Sequence, residues 1–465
     1  MCAWPWRQVT SPDMAVHWRA PSPQQCQRYN APMEKVFRDP VHNLMRFDMD
    51  RDRLALQLLD TAEVQRMRHI RQMGVSDFIF PGATHSRFSH LLGVAHLMSR
   101  ILERMELLRK EAPLAHIALS LDEHRELLLA AALLHDIGHF PYSHLLEDVI
   151  GEDHEAWSVR LILDAGSDVH QALSQRDPGY PEQVARILQR SYKPSYAVKL
   201  ISSQLDVDRM DYLLRDSLYT GVGYGKFDLD WLLHSLRIVE VDGDYEVAID
   251  ASKGLQVAES YVLARHYMYQ QVYHHKTERA AGALLLRLFQ RAALLLRQGR
   301  LLDTPEPVQT LLLAAQALDR DSFLQLNDVL LGYSIWLWTQ SRDAIVADLS
   351  KRFLQRRVFK TLPITPARYG ELKASLEAAV RDQGFDPDYY LVLDDAVDSP
   401  YTDPYWGDGS REASEHIYVV DGQGGLSDLS EKSPLIQALR DRSIGIQRLC
   451  FPQELRAAVE ARIAA

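Results

Sequence analysis

The histidines are crowded into one stretch: nine of the eighteen fall between His85 and His154. A single histidine on an apolar helix is more often a satisfied core residue than a ligand, so the pattern has to carry the argument. His90 stands at the start of a helical run, RFSHLLGVAHL. His135-Asp136 closes a strongly apolar one, LLLAAALLHDIGH, and Asp208 opens a third, LDVDRMDYLLRD. Imidazole nitrogens mixed with carboxylates suit Mn²⁺, Fe²⁺, Co²⁺, Ni²⁺ or Zn²⁺, whereas an all-oxygen set would suit Mg²⁺. Four such ligands from three helices leave coordination positions open for water and substrate. A solvated helix end is a poor account of Asp136, because eight aliphatic residues, Leu127 to Leu134, lead straight into the ionisable His135-Asp136 pair. A buried carboxylate without a cation or donor would cost several kcal/mol.

Two further stripes are polar at helical spacing. Asp208, Tyr212 and Asp216 fall at i, i+4 and i+8, as do Arg265, Tyr269 and Tyr273. Taken singly, Arg215 and Asp216 read as a surface ion pair and the tyrosines as core packing.

The elements that would hold these residues are mostly helices. Apolar positions recur at three and four spacing over 61–73, 89–108, 125–137, 196–216, 255–275 and 278–297. Arg237 to Ile249 alternates around Asp242-Gly243 and predicts a β-hairpin. Beyond about residue 350 short strand-like runs take over (RRVFKTLPIT, DYYLVLDDAV, HIYVVDG, SIGIQRLCF), and 398–413 is a loop by composition. The expected architecture is therefore mainly α. A helical core over 33–350 carries one small hairpin and is followed by a smaller α+β region over 351–465, expected to be an oligomerisation and regulatory region. Residues 1–32, rich in Pro and Gln, read as a flexible extension.

Composition sets limits. The chain has 465 residues, 46% hydrophobic and 25% charged, which excludes a mainly disordered protein. A net charge of −11 argues against nucleic acid as the main partner. The three cysteines, Cys2, Cys26 and Cys450, form no CxxC pair, which fits a reducing compartment and excludes a thiolate zinc site. No aliphatic run approaches the ~20 residues of a membrane span, and the amino terminus lacks a signal-peptide pattern. A cytoplasmic location is expected.

The H, HD and D residues, together with FRDPVH, DTAEVQRMRHIRQMG, FPGATHSRFSHLLGVAHL, LLHDIGHFPYSH, HE at 154–155, DVDRMDYLLRD and YHHK at 273–276, occur in order. In these runs the chain resembles the HD-domain phosphohydrolases, and within them the deoxynucleoside-triphosphate triphosphohydrolase branch. The likeness covers roughly residues 34 to 360. It implies attack of water on the α-phosphorus of a dNTP, releasing deoxynucleoside and triphosphate, with His90, His135, Asp136 and Asp208 as ligands of the divalent transition metal. A Mg²⁺ ion on the substrate phosphates would be a second cation.

The resemblance also implies roles for other residues. His154 is the catalytic histidine, able to protonate the leaving 5′-oxygen. Glu147 (Asp in the vertebrate enzyme) and Glu155 orient it or its neighbours. Read from the residues alone, His139 lies one helical turn after His135, so both can face the same cavity, and His144, after a Pro-Tyr-Ser turn, can reach the same phosphate; either can equally be a hydrogen-bonded structural histidine. Arg87, Arg209 (elsewhere Lys) and Arg265 contact phosphates, and Tyr212 belongs to the same pocket. Gln72 and Asp216 bind the 3′-hydroxyl, and Tyr273 packs under C2′. Lys35, Val36, Asp60, Gln65, Arg68 and Arg356 match a pocket between subunits for GTP or dGTP as activator, in a homo-oligomer (dimer or tetramer). Read from the residues alone, Asp60 to Glu63 is also a helix N-cap with Glu at N3. In the adjoining activator subsite Lys253 is present, but Ala251 and Val257 replace polar residues, so control by a dNTP there is not expected. The competing readings are a phosphohydrolase of another nucleotide, or a nucleotide sensor that assembles without catalysis.

Overall fold

Leu121–Leu134 forms a helix in which every residue from Leu127 onward is buried, so the aliphatic run is the axis of the core. The computed structural model describes residues 33–111, 121–300, 303–398, 416–440 and 444–464. The expected extension over 1–32 lies outside the described residues, as does the 398–413 loop beyond Asp398. Seven helices matter for the site: α1 (Arg87–Glu111), α2 (Leu121–Leu134), α3 (His144–Ile150), α4 (His154–Leu163), α5 (Val207–Thr220), α6 (Ala251–Met268) and α7 (Lys276–Arg297). Both α2 and α5 pack against α1, which brings the segments carrying His90, His135-Asp136 and Asp208 together.

Local chemistry sets the helix ends. Asp206 caps α5 by accepting from the Arg209 amide at 2.7 Å, and the helix stops at Gly221, whose φ is +79°. Asp153, Asp250 and His275 cap α4, α6 and α7 in the same way. Two expected helices are broken. The 61–73 stretch is a short helix, Ala62–Arg66, followed by a 3₁₀ turn, Met67–His69. The 196–216 stretch divides into Ser195–Lys199 and α5, because Asp206 starts a new helix. The N-cap near residue 60 is Thr61; Asp60 ends the preceding helix, Arg53–Leu59, and Glu63 is buried rather than part of a capping box. Beyond Met268 the backbone of α6 widens into a π-turn over Tyr269–Tyr273, a local distortion that is frequent at functional sites.

The strands are β1 (Glu34–Asp39), β2 (Asn43–Asp48), β3 (Leu236–Val241), β4 (Asp244–Asp250), β5 (Lys360–Pro363), β6 (Val392–Asp398), β7 (Tyr418–Val420), β8 (Leu426–Asp428) and β9 (Ile444–Phe451). The expected hairpin is β3–β4, turning at Asp242 and Gly243 with φ of +53° and +80°, as a type I′ turn requires. Residues beyond 350 join the core directly. β7 adds to β4 in parallel and β8 follows, while β9 lies between β5 and β6 in a second sheet. Lys199 pairs with Glu246 of β4 and sits 4.9 Å from the ring of Tyr418 in β7. Among the described residues no helix is long and apolar enough to cross a membrane.

Candidate active site

His90 enters the core one turn into α1, and His135 and Asp136 stand in the turn directly after α2. Asp208 projects from the first turn of α5. The His90 and His135 rings meet edge to face at 5.4 Å, and their Nε2 atoms lie 3.0 and 3.6 Å from Asp208 Oδ1. His90, His135 and Asp136 each offer a ligand atom, all within 4.8 Å of one another. Both Nε2 atoms are buried, and neither makes a well-oriented hydrogen bond. Two such imidazole nitrogens converging with two carboxylates are a donor set that fits a divalent transition metal.

The electrostatics agree. Burial presses the His90 ring toward neutrality, but Asp208 and Asp211 outweigh it and lift its pKa to about 10. Burial also works against the Asp136 carboxylate, but His135, His139 and Arg87 hold it ionised well below the usual range. The centre favours positive charge, whether a proton or a cation. Asp136 is not unpaired: its Oδ2 accepts from the Arg87 guanidinium, which also donates to Ser143 Oγ at 2.9 Å.

A second cluster adjoins this one. His139 and His154 stack at 3.8 Å with 12° between planes, and His144 meets both edge on. Glu147 Oε1 lies 2.9 Å from His154 Nδ1 and 3.3 Å from His144 Nδ1. Burial raises the Glu147 carboxyl, but the two histidines more than reverse this and take it down to about 2. His154 is lowered by burial and raised more by Glu147 and Asp136, so it holds its proton above the usual imidazole range. His139 goes the other way, because burial and the Arg87 charge keep it neutral. His135 and His139 stand in the irregular segment after α2 and not one turn apart along a helix, and of the two only His139 lines the neighbouring cavity. His144 is 68% exposed in its side chain, and Glu155 pairs with Arg190 at 3.2 Å.

A cavity of about 760 Å³ runs from these histidines past Gln72, Arg87, Asp208, Arg209, Tyr212, Asp216 and Tyr273. At its other end the Tyr273 hydroxyl donates to Asp216 Oδ2 at 2.8 Å, while His85 Nε2 lies 2.7 Å from Asp216 Oδ1. The π-turn brings Tyr269 to 5.1 Å from Tyr273, and Tyr212 stands 6.2 Å from it. Gln72 Oε1 is buried without a partner. Arg209 is held by its own N-cap, Asp206, and Arg265 lies 5.5 Å from the Tyr269 ring and outside the cavity wall.

The six expected activator residues are elsewhere. Lys35 and Val36 are exposed on β1, and Asp60 is exposed at a helix end. Gln65 bonds the Leu59 carbonyl and accepts from Arg68, which stacks 3.5 Å from Phe88, and Arg356 donates to the Phe78 carbonyl at 2.6 Å. None of the six lines the cavity.

Residues 87–216 match the HD domain family, and 227–300 match the HD associated region. The chain is 36% identical to the uncharacterized protein YwfO of Bacillus subtilis over 422 residues, 91% of this chain and 93% of that one. This chain belongs to the HD-domain phosphohydrolases. A crystal structure of a phosphohydrolase from Bacteroides thetaiotaomicron superposes with a TM-score of 0.74 at 28% identity, covering 90% of this chain and all of that one. The deoxynucleoside triphosphate triphosphohydrolase SAMHD1 of Gallus gallus is 25% identical over 301 residues, 57% of this chain and 46% of its own length.

Four residues of the HD domain and the β1–β2 hairpin escape the motif reading. Asp211 and Arg215 are buried completely; Arg215 is no surface partner of Asp216 but binds Asp211 and Asp39, and His42 bonds Asp211. The available signals are Asp39 and His42 in FRDPVH, and Asp211 and Arg215 four apart on α5.

Proposed function

We propose that the protein is a metal-dependent dNTP triphosphohydrolase, converting dNTP and water to deoxynucleoside and triphosphate. The carrying observation is the pairing, along one cavity, of the histidine–carboxylate centre with the Asp216–Tyr273 pair. Phosphate chemistry at one end and a hydroxyl-reading carboxylate against an aromatic ring at the other suit a sugar phosphate. His90, His135, Asp136 and Asp208 would hold the metal. When bound, a divalent ion there polarises the phosphoryl oxygen and activates water.

The chain's own residues do the rest. Arg87 lines the cavity beside Asp136, where it can balance phosphate charge, and Arg209 adds a second guanidinium. His154, kept protonated by Glu147, is placed to give its proton to the departing 5′-oxygen. Neutral His139 stacks on that ring and restricts its rotation. Asp216 has both oxygens engaged, by His85 and Tyr273, so a 3′-hydroxyl meets a fixed acceptor. Tyr273 in turn leaves a ribose 2′-hydroxyl facing a ring. GTP or dGTP, bound by the six surface residues across a subunit boundary of a homo-oligomer, is the proposed activator.

The test is purified protein incubated with each dNTP and Mn²⁺, with and without GTP, and the products separated. Deoxynucleoside plus intact triphosphate is the expected result. Release of dNDP and orthophosphate, or of dNMP and pyrophosphate, overturns it.

A further inference from the structure

We propose that the amino-terminal β1–β2 hairpin is a positioning element of the metal centre, its His42 and Asp39 setting the orientation of the His90 ring through Asp211 and Arg215. The contacts form one closed buried network. His90 Nδ1 donates to Asp211 Oδ2 at 2.8 Å, which leaves Nε2 as the nitrogen turned toward the metal ligands. Asp211 Oδ2 also accepts from Arg215 Nε at 2.8 Å, and Oδ1 accepts from Arg215 Nη2 at 3.0 Å. The remaining acceptor position on Oδ1 is filled from the hairpin, by His42 Nε2 at 2.6 Å. Asp211 is thus a saturated carboxylate whose direction is shared among α1, α5 and the hairpin.

Asp39 makes the hairpin's grip specific. Its Oδ1 accepts the Val41 and His42 amides at 2.9 and 3.0 Å, which builds the turn that aims His42 inward. Its Oδ2 accepts from Arg215 Nη1 at 2.7 Å. The strands on either side are paired from Glu34↔Asp48 to Asp39↔Asn43, so the turn moves with the ribbon. The network also excludes bulk from α1: a Cβ at Gly93 would lie 2.0 Å from Asp211 Oδ1 and 2.5 Å from Arg215 Nη2. A position one turn from His90 has to stay without a side chain for Asp211 to reach the imidazole.

A carboxylate bonded to the far nitrogen of a metal-binding histidine fixes its tautomer and ring angle, and losing such a partner typically weakens metal binding ~10- to 100-fold. His42 lies one bond further out, on an element that carries no ligand of its own. It is a positioning residue, and the quantity it controls is metal affinity. This rests on the metal assignment above and is independent of which nucleotide is hydrolysed.

The experiment is a chelator-buffered Mn²⁺ titration of the full chain in three forms: wild type, His42→Leu and His42→Gln. Leucine keeps the volume but donates nothing, so its Mn²⁺ Kd should rise ~10-fold or more. Glutamine places an N–H donor near the position of the imidazole Nε2 and should restore most of the affinity. Equal Kd values for wild type and His42→Leu, both folded by circular dichroism, overturn the proposal. If His42→Leu does not fold, Asp39→Asn carries the test, because it keeps the turn's acceptor while weakening the charged pair with Arg215. A smaller rise in Kd is expected there, and none overturns the proposal. A wild type that binds neither Mn²⁺ nor, in the same titration, Fe²⁺, Co²⁺, Ni²⁺ or Zn²⁺ sinks the metal assignment itself, a different failure from an unchanged variant.

Discussion

The metal end of the cavity and the surface set of Lys35, Val36, Asp60, Gln65, Arg68 and Arg356 are both expected as sites from the sequence, and the fold treats them oppositely. At the metal end, His90 and Asp211 are wholly buried and each charge faces a partner. Ion pairs of that kind cost more to desolvate than they return unless geometry is excellent, so their presence marks a site built for something other than stability. The surface set is divided among a strand, a helix end, a short helix, a 3₁₀ turn and a segment near Phe78, and two of its six side chains, Gln65 and Arg356, bond to backbone carbonyls. If, as proposed, a second subunit completes that site, it has no reason to look assembled in one chain.

The largest expected effect tests the buried half. Asp136→Ala removes a ligand and leaves the Arg87 guanidinium without its carboxylate, so metal content by elemental analysis and activity should both vanish. A variant that keeps its metal would mean the centre is elsewhere. His154→Ala separates ligand from acid: metal should stay while turnover falls ~10²–10⁴-fold. Loss of metal in that variant would move His154 from acid to ligand and redraw the boundary between the two histidine clusters.

The Asp216–Tyr273 end, proposed to hold the sugar, is intermediate in expected effect. If Tyr273 packs against C2′, a ribonucleotide strands its hydroxyl, at roughly 1–3 kcal/mol, or about a 5- to 150-fold preference for dGTP over GTP. The ratio of kcat/KM for the two, with a separate saturating activator, measures it. Tyr273→Ala should narrow the ratio, and because the Tyr273 hydroxyl holds Asp216, dNTP binding should weaken as well. A wild type that hydrolyses GTP as well as dGTP would favour a phosphohydrolase of another nucleotide.

What can be read ahead of the structure follows the same division. The Leu127–Leu134 run ending in His-Asp is legible because burying an ionisable pair is expensive, and Asp242-Gly243 because few residues tolerate a type I′ turn. The network of Asp39, His42, Asp211 and Arg215 is not. His42 stands 169 positions from Asp211, and Asp39 stands 176 from Arg215, with no periodicity to link them. The Tyr269–Tyr273 π-turn is hidden for a different reason: tyrosines four apart fit an α-helix equally well. Asp60 reads wrongly as a cap because Asp and Thr are both good caps, and only the end of the preceding helix decides between them.

Asp60 also gives the smallest and cleanest contrast. It is exposed, and burial and packing give it no part in the core, so Asp60→Ala should change stability by no more than about 0.5 kcal/mol. Its expected effect is on linkage instead. A nucleotide bound at a subunit boundary favours the oligomer, and the oligomer binds it more tightly by the same factor. Removing one contact should therefore shift the GTP midpoint for activity and for assembly together, to higher concentration, while the melting temperature stays in place. Light scattering and turnover across one GTP titration, for wild type and Asp60→Ala, read both midpoints. If neither protein responds to GTP or dGTP, the surface set is a solvated helix end and strand edge, and the buried end of the molecule carries the whole function.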